Sequence, residues 1–128
     1  MARNAIVQEW VDFAEMDLMA ARHLYDYMHP QPLEIICYHC QQAIEKLLKG
    51  ALLMYGDAPK KTHDLGLLAE LLQAYCEVDE RYLEMCDDLT PYGVKIRYPQ
   101  ELQIEERHAK KALSDAESLS DWLLELIK

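Results

Sequence analysis

Along the first 28 residues Val7, Trp10, Ala14, Asp17, Ala21, Leu24 and Met28 recur at three- and four-residue steps. That period predicts a helix from Ala5 to Met28 with one apolar stripe, interrupted by Asp17. His29-Pro30-Gln31-Pro32 ends it, since prolines do not continue a helix. A second helix begins near Pro32 or Leu33, with Ile36, Cys37, Cys40, Ile44, Leu47, Leu48, Ala51 and Tyr55 on its apolar face. Gly56 suits its C-terminal cap. Thr62 is placed to cap a third helix, His63 to about Cys76, along Leu65, Leu68, Ala69 and Leu72. A short fourth helix runs from Asp79 to Leu89. Thr90 to Pro99 is too rich in Pro and Gly for regular structure, and its Val94, Ile96 and Tyr98 read as anchors onto the bundle. The last helix, about Glu101 to Ile127, carries Ala109, Ala112, Leu113, Ala116, Leu119, Leu123, Leu126 and Ile127.

Long helices with short connections lie antiparallel. The expectation is an all-α, up-and-down bundle of three long and about two short helices, filling residues 1–128 as a single domain. The chain's 128 residues fit one core, and its 4 Gly and 5 Pro disfavour a fold of many strands and turns.

Charge narrows the function. The formal net charge is −10, which argues against a generic nucleic-acid binder and against duplex DNA as a partner. The amino-terminal residues have no apolar signal core and no apolar run reaches the ~18 residues of a membrane span. Four Cys in such a chain suit free thiols in a reducing compartment, so the expected location is cytoplasmic. Cys37 and Cys40 have metal-ligand spacing but sit on the core face without a matching second pair, so no metal site or cofactor is expected. Only three Ser occur, all in the last helix, which disfavours a serine nucleophile.

The basic residues are not spread evenly. Lys46, Lys49, Lys60 and Lys61 fall within sixteen positions, while Glu77 to Asp88 holds six acids. His39, Gln42, Lys46 and Lys49 are 3, 4 and 3 residues apart and share one helical face, with His63 in the next loop. A local cationic stripe on an acidic protein suits a phosphate-bearing ligand. The plainer reading is a solvated face in which Glu45 and Lys49 pair at i,i+4. Lys95, Arg97 and Tyr98 form a second candidate: Arg offers a planar donor fork to phosphate, and Tyr stacks on a base. Structurally, Arg97 also suits pairing with Asp17, which needs a partner if buried. His63 and Asp64 suit capping of the third helix better than ligand binding. Trp122, with Leu119, Leu123 and Leu126, is either core or spare apolar surface for an isologous dimer.

Cys40-Gln41-Gln42-Ala43-Ile44-Glu45-Lys46-Leu47-Leu48-Lys49-Gly50, Thr62-His63-Asp64-Leu65 and Ile96-Arg97-Tyr98-Pro99, in that order after Ala14-Glu15-Met16-Asp17-Leu18-Met19-Ala20-Ala21, give the chain its character. In them the sequence resembles the HEPN domain over essentially its whole length. The resemblance implies a helical bundle, often dimeric, frequently encoded beside a minimal nucleotidyltransferase in a toxin–antitoxin-like pair. It also implies a nucleotide- or RNA-binding role. One branch comprises metal-independent ribonucleases marked by an Arg, four to six residues and a His near the start of the last helix. Here the window after Arg97 holds Leu102, Gln103 and Ile104, and the next His is His108, with ten residues between. Arg22 and His29 fit the spacing but lie at the end of the first helix. The leading expectation is a non-catalytic module that binds a nucleotide or nucleotidylated group through His39, Gln42, Lys46, Lys49, His63, Arg97 and Tyr98. Two alternatives stand beside it: a ribonuclease using Arg97 and His108, and a purely structural interaction module.

Overall fold

The computed structural model describes residues 4–93 and 103–128. Five helices follow one another: α1 (Ala5–Tyr27), α2 (Leu33–Met54), α3 (Leu65–Leu72), α4 (Glu80–Leu89) and α5 (Glu106–Ile127). A 3-10 turn, Thr90–Gly93, follows α4 directly. No strand occurs among the described residues, so the architecture is the expected all-α one.

α2 is the hub. It packs against α1 and α5 along its length and against α3, α4 and the 3-10 turn. Thirteen of its 22 residues are buried, from Ile36 to Leu52, which is why its apolar positions spread beyond one narrow stripe. α1 and α2 run antiparallel: Gly50 lies against Trp10 and Val7, while His39 and Lys46 meet Asp17. The core is Leu-rich, with Leu47, Leu48, Leu68, Leu72, Leu89, Leu113, Leu119 and Leu123 all essentially inaccessible.

The local signals explain most boundaries. Asn4 caps α1, its side chain accepting from the Ile6 amide (2.8 Å). α2 ends with Gly56 at φ +91°. The Gly56 and Asp57 amides return to the Leu53 and Leu52 carbonyls, both at 2.9 Å, so a residue tolerant of positive φ is needed there. Asp79 caps α4 through the Arg81 amide.

Three expectations change. α3 starts at Leu65 and stops at Leu72, shorter than His63 to Cys76; of the cap candidates Thr62, His63 and Asp64, it is Asp64 that caps it, accepting from the Leu67 amide (3.1 Å). Thr62 instead accepts from the Asp64 amide (3.1 Å), shaping the turn before the helix. α5 starts at Glu106, and residues 103–105 are not helical. Finally, Leu119 and Leu123 are spent in the core, and half-buried Trp122 stacks on Tyr82 with ring centroids 4.6 Å apart, so α5 offers little spare apolar surface there.

All four thiols are free, and Cys37, Cys40 and Cys86 are fully buried. Burial pushes Cys37 and Cys86 up to about 12 and raises Cys40 as well. Half-buried Cys76 is also raised, chiefly by burial. A thiol-disulfide titration of native protein at about pH 8 should therefore find one reacting cysteine, Cys76, and all four in denaturant. Equal rates for Cys37 and Cys76 would contradict this packing.

Candidate functional site

Two acids, Asp17 on α1 and Glu45 on α2, are each gripped by a lysine and a histidine. On the α1 side, His39 Nδ1 donates to Asp17 Oδ1 (2.8 Å) and Lys46 Nζ donates to Asp17 Oδ2. On the other side, His63 Nδ1 donates to Glu45 Oε1 (2.8 Å) and Lys49 Nζ to Glu45 Oε2 (3.0 Å). Buried Gln41 braces the second group: its Nε2 donates to the His63 carbonyl (2.9 Å) and Glu45 (3.2 Å), and its Oε1 accepts from Gln42 (2.8 Å). Gly93 abuts Gln41: a Cβ there would lie 2.6 Å from the Gln41 amide.

An ionised carboxylate only accepts, so each imidazole carries its hydrogen on Nδ1 and keeps Nε2 for other partners. The His63 side chain is 70% exposed, with its backbone pinned by Gln41 and its ring pinned by Glu45. Burial alone would raise the Glu45 carboxyl. Hydrogen bonds from His63, Lys49 and Gln41 outweigh burial and hold it below the usual carboxylate range.

The expected cationic stripe is thus brought together, but not as one bare face. Lys49 is buried on Glu45. Lys46 and His39 are about one quarter exposed and lean on Asp17, so the partner seen for Asp17 comes from α2. Lys60 faces Asp57 at 3.7 Å, and Lys61 is exposed. Lys95, Arg97 and Tyr98, with Val94 and Ile96, lie outside the described residues.

His108 sits apart from this network. Its Nδ1 accepts from the Glu105 amide (2.9 Å), so the ring serves the start of α5. It lines a cleft of about 250 Å³ with Asp88, Tyr92, Lys111 and Asp115. There Lys111 is shared between Asp88 (3.0 Å) and Asp115 (2.5 Å), which leaves an excess of negative charge unsuited to an anion. The sequence reading passed over this cleft. Its one signal was the i,i+4 spacing of Lys111 and Asp115.

With that geometry in place, comparison with known proteins adds independent findings. The family model described as the HEPN domain matches residues 7–127. The chain is similar to the crystal structure of TT1696 from Thermus thermophilus, at 25% identity and TM-score 0.77, over 94% of this chain and 97% of that one. It is likewise similar to ST0689, described as an archaeal HEPN homologue, at 26% identity and TM-score 0.76 over the full length of both. Comparison with curated proteins returns no match.

Proposed function

The chain belongs to the HEPN domain family, and from that premise we propose that it is a non-catalytic binding module for a nucleotide or nucleotidylated group, working beside a nucleotidyltransferase in a toxin–antitoxin-like pair. The observation that supports this reading is the fixed presentation of His39 and Lys46 by Asp17, and of His63 by Glu45, at two hydrogen-bonded groups beside α2.

The chemistry fits a phosphate group in a specific way. Lys46 uses one of its three donors on Asp17 and has two left for ligand oxygens. His39 and His63 each retain Nε2. Because the cations stand on acids, recognition relies on positioned donors more than on a broad positive field, which suits a protein of net charge −10. Lys49 holds Glu45, which orients His63, so its role is to position another group. Arg97 and Tyr98, which lie outside the described residues, belong to the same proposal. Catalysis is left out of the proposal because His108 lies apart from the cations of α2, in a cleft with an excess of acids.

The test is a thermal-shift titration against ATP, GTP and their diphosphates at low salt. Ligand at ten times its dissociation constant stabilises by about 1.4 kcal/mol. That raises the Tm of a domain this size by about 4 to 6 °C. Lys46→Ala should reduce the shift below about 1 °C. No shift with millimolar ligand, or an unchanged shift in Lys46→Ala, would overturn the reading.

A further inference from the structure

We propose that the cleft between α4 and α5 binds a primary ammonium group on a short aliphatic stem. Asp88 and Tyr92 border it at the end of α4 and in the 3-10 turn, and His108, Lys111 and Asp115 border it from α5. Buried Leu89 and Ala112 give it an apolar wall for the stem. Its volume, about 250 Å³, lies below the ~300 Å³ at which pockets for drug-sized ligands begin, so the occupant is small.

Asp115 is the under-satisfied group. It is 8% exposed, and Lys111 meets only its Oδ2. A carboxylate accepts up to about four hydrogen bonds, and buried polar atoms are ordinarily paired. Among the described residues nothing donates to Asp115 Oδ1, although the side chain borders an open cleft. Asp88 is in the same position: Lys111 meets its Oδ2 (3.0 Å), and its Oδ1 has no donor among those residues. Pairing with Lys111 therefore accounts for one oxygen of each acid and leaves the other. The charges tally the same way. His108 Nδ1 accepts from the Glu105 amide, which puts the ring hydrogen on Nε2 and leaves the imidazole neutral. Two acids thus face one cation, and one further positive charge balances them. Both carboxylates touch Lys111 Nζ, so both are within reach of a second small cation beside it. An ammonium has three diverging donors. They suit single oxygens on two separate acids, with the phenol oxygen or ring face of Tyr92 for the third. A guanidinium fork suits two oxygens of one carboxylate, and neither acid has two to offer.

Isothermal titration calorimetry of the whole chain at about pH 7 and low, constant ionic strength tests this, with n-butylamine as the probe. One molecule should bind per chain, with a dissociation constant on the order of 1 mM or tighter. n-Butanol should not bind, and n-butylguanidine should bind more weakly. Asp115→Asn and Asp88→Asn should each weaken the amine about tenfold, the loss of one charge-assisted hydrogen bond. Asp88→Asn keeps the proposal falsifiable if Asp115→Asn does not fold, since the Asp88 side chain is 58% exposed. Lys111→Met removes the resident cation and should tighten binding, which a merely structural acid–lysine pair would not do. Asp121→Asn, at an exposed position on the same helix, removes one charge elsewhere and should leave binding unchanged. Putrescine and Nα-acetyl-lysine methylamide, titrated alongside, separate a free amine from a lysine side chain of another protein, the tighter binder naming the source. No saturable binding at about 20 mM n-butylamine would overturn the proposal. So would an affinity unchanged in Asp88→Asn and Asp115→Asn, weaker binding by Lys111→Met, or equal weakening by Asp121→Asn. n-Butylguanidine binding as tightly as n-butylamine would overturn the choice of an ammonium.

Discussion

Lys49→Ala is expected to lower the unfolding free energy by about 3 to 5 kcal/mol, the cost of breaking a buried ion pair from one side. Both side chains are under 10% exposed, so the Glu45 carboxylate that remains is not rehydrated by water. Measured by urea or thermal melts, the Tm should fall by about 10 °C or more. The pair's own worth is a different quantity. Glu45→Gln with Lys49→Met removes both charges, and the double variant should recover most of the loss. Acid separates the two effects. The Glu45 carboxyl is held below its ordinary value in the fold. Its contribution is therefore complete above the unfolded value of ~4.3 and is lost as pH falls through the lower folded value. The gap between wild type and Lys49→Ala should be widest above about pH 5 and narrow as pH falls through the lowered folded value, where the carboxyl becomes neutral. A gap that does not narrow would mean that Lys49 stabilises through its apolar stem instead.

Which parts of this were legible in the sequence follows from how far each signal reaches. α1, α2 and α4 were placed to within a residue or so, because each has a cap or breaker beside an apolar period: Asn4, Pro30 with Pro32, Gly56 and Asp79. The need of Asp17 for a partner was also legible, since an acid on an apolar stripe must be satisfied. Its partner was not, because contacts across helices depend on packing and not on spacing. The expected Arg97 gave way to His39 and Lys46, two residues already singled out for a different reason.

The α2 stripe shows the same limit quantitatively. From His39 to Lys49 is ten residues, about 1,000° of helical turn, which falls some 80° short of three turns. The stripe therefore winds, taking Lys46 to the α1 seam and Lys49 inward to Glu45. Residues that share a face over seven positions part company over ten. The exposed apolar face of α1, opposite its buried one, was missed for a different reason. Once one apolar stripe explains a helix, a second on the opposite side is easily read as background, although Ile6, Phe13, Met16 and Met19 were in plain view.

Gly50→Val is expected to cost about 3 kcal/mol, a fall in Tm of roughly 10 °C, by separating α1 from α2. Gly50 is buried mid-helix, where glycine costs about 1 kcal/mol relative to alanine, so some packing benefit has to offset it. The close approach of Trp10 supplies one. A Cβ on Gly50 would lie 3.2 Å from the Trp10 Cβ, with the Val7 carbonyl 4.0 Å away on the same helix. Gly50→Ala should be nearly neutral, since the gain in helix propensity balances a shift of a few tenths of an ångström. Valine adds two methyl groups for which the crossing has no room, and its β-branch adds a rotamer restriction. The consequence for the site is specific. Asp17 reaches His39 and Lys46 only because α1 lies this close, so moving it outward withdraws the acid that orders both donors. On the proposed binding reading, Gly50→Val should therefore lose nucleotide-dependent stabilisation even at temperatures where it remains folded, while Gly50→Ala keeps it. A valine variant as stable as wild type would show that the helices are free to slide apart, and that the Asp17 contacts do not depend on the Gly50 crossing.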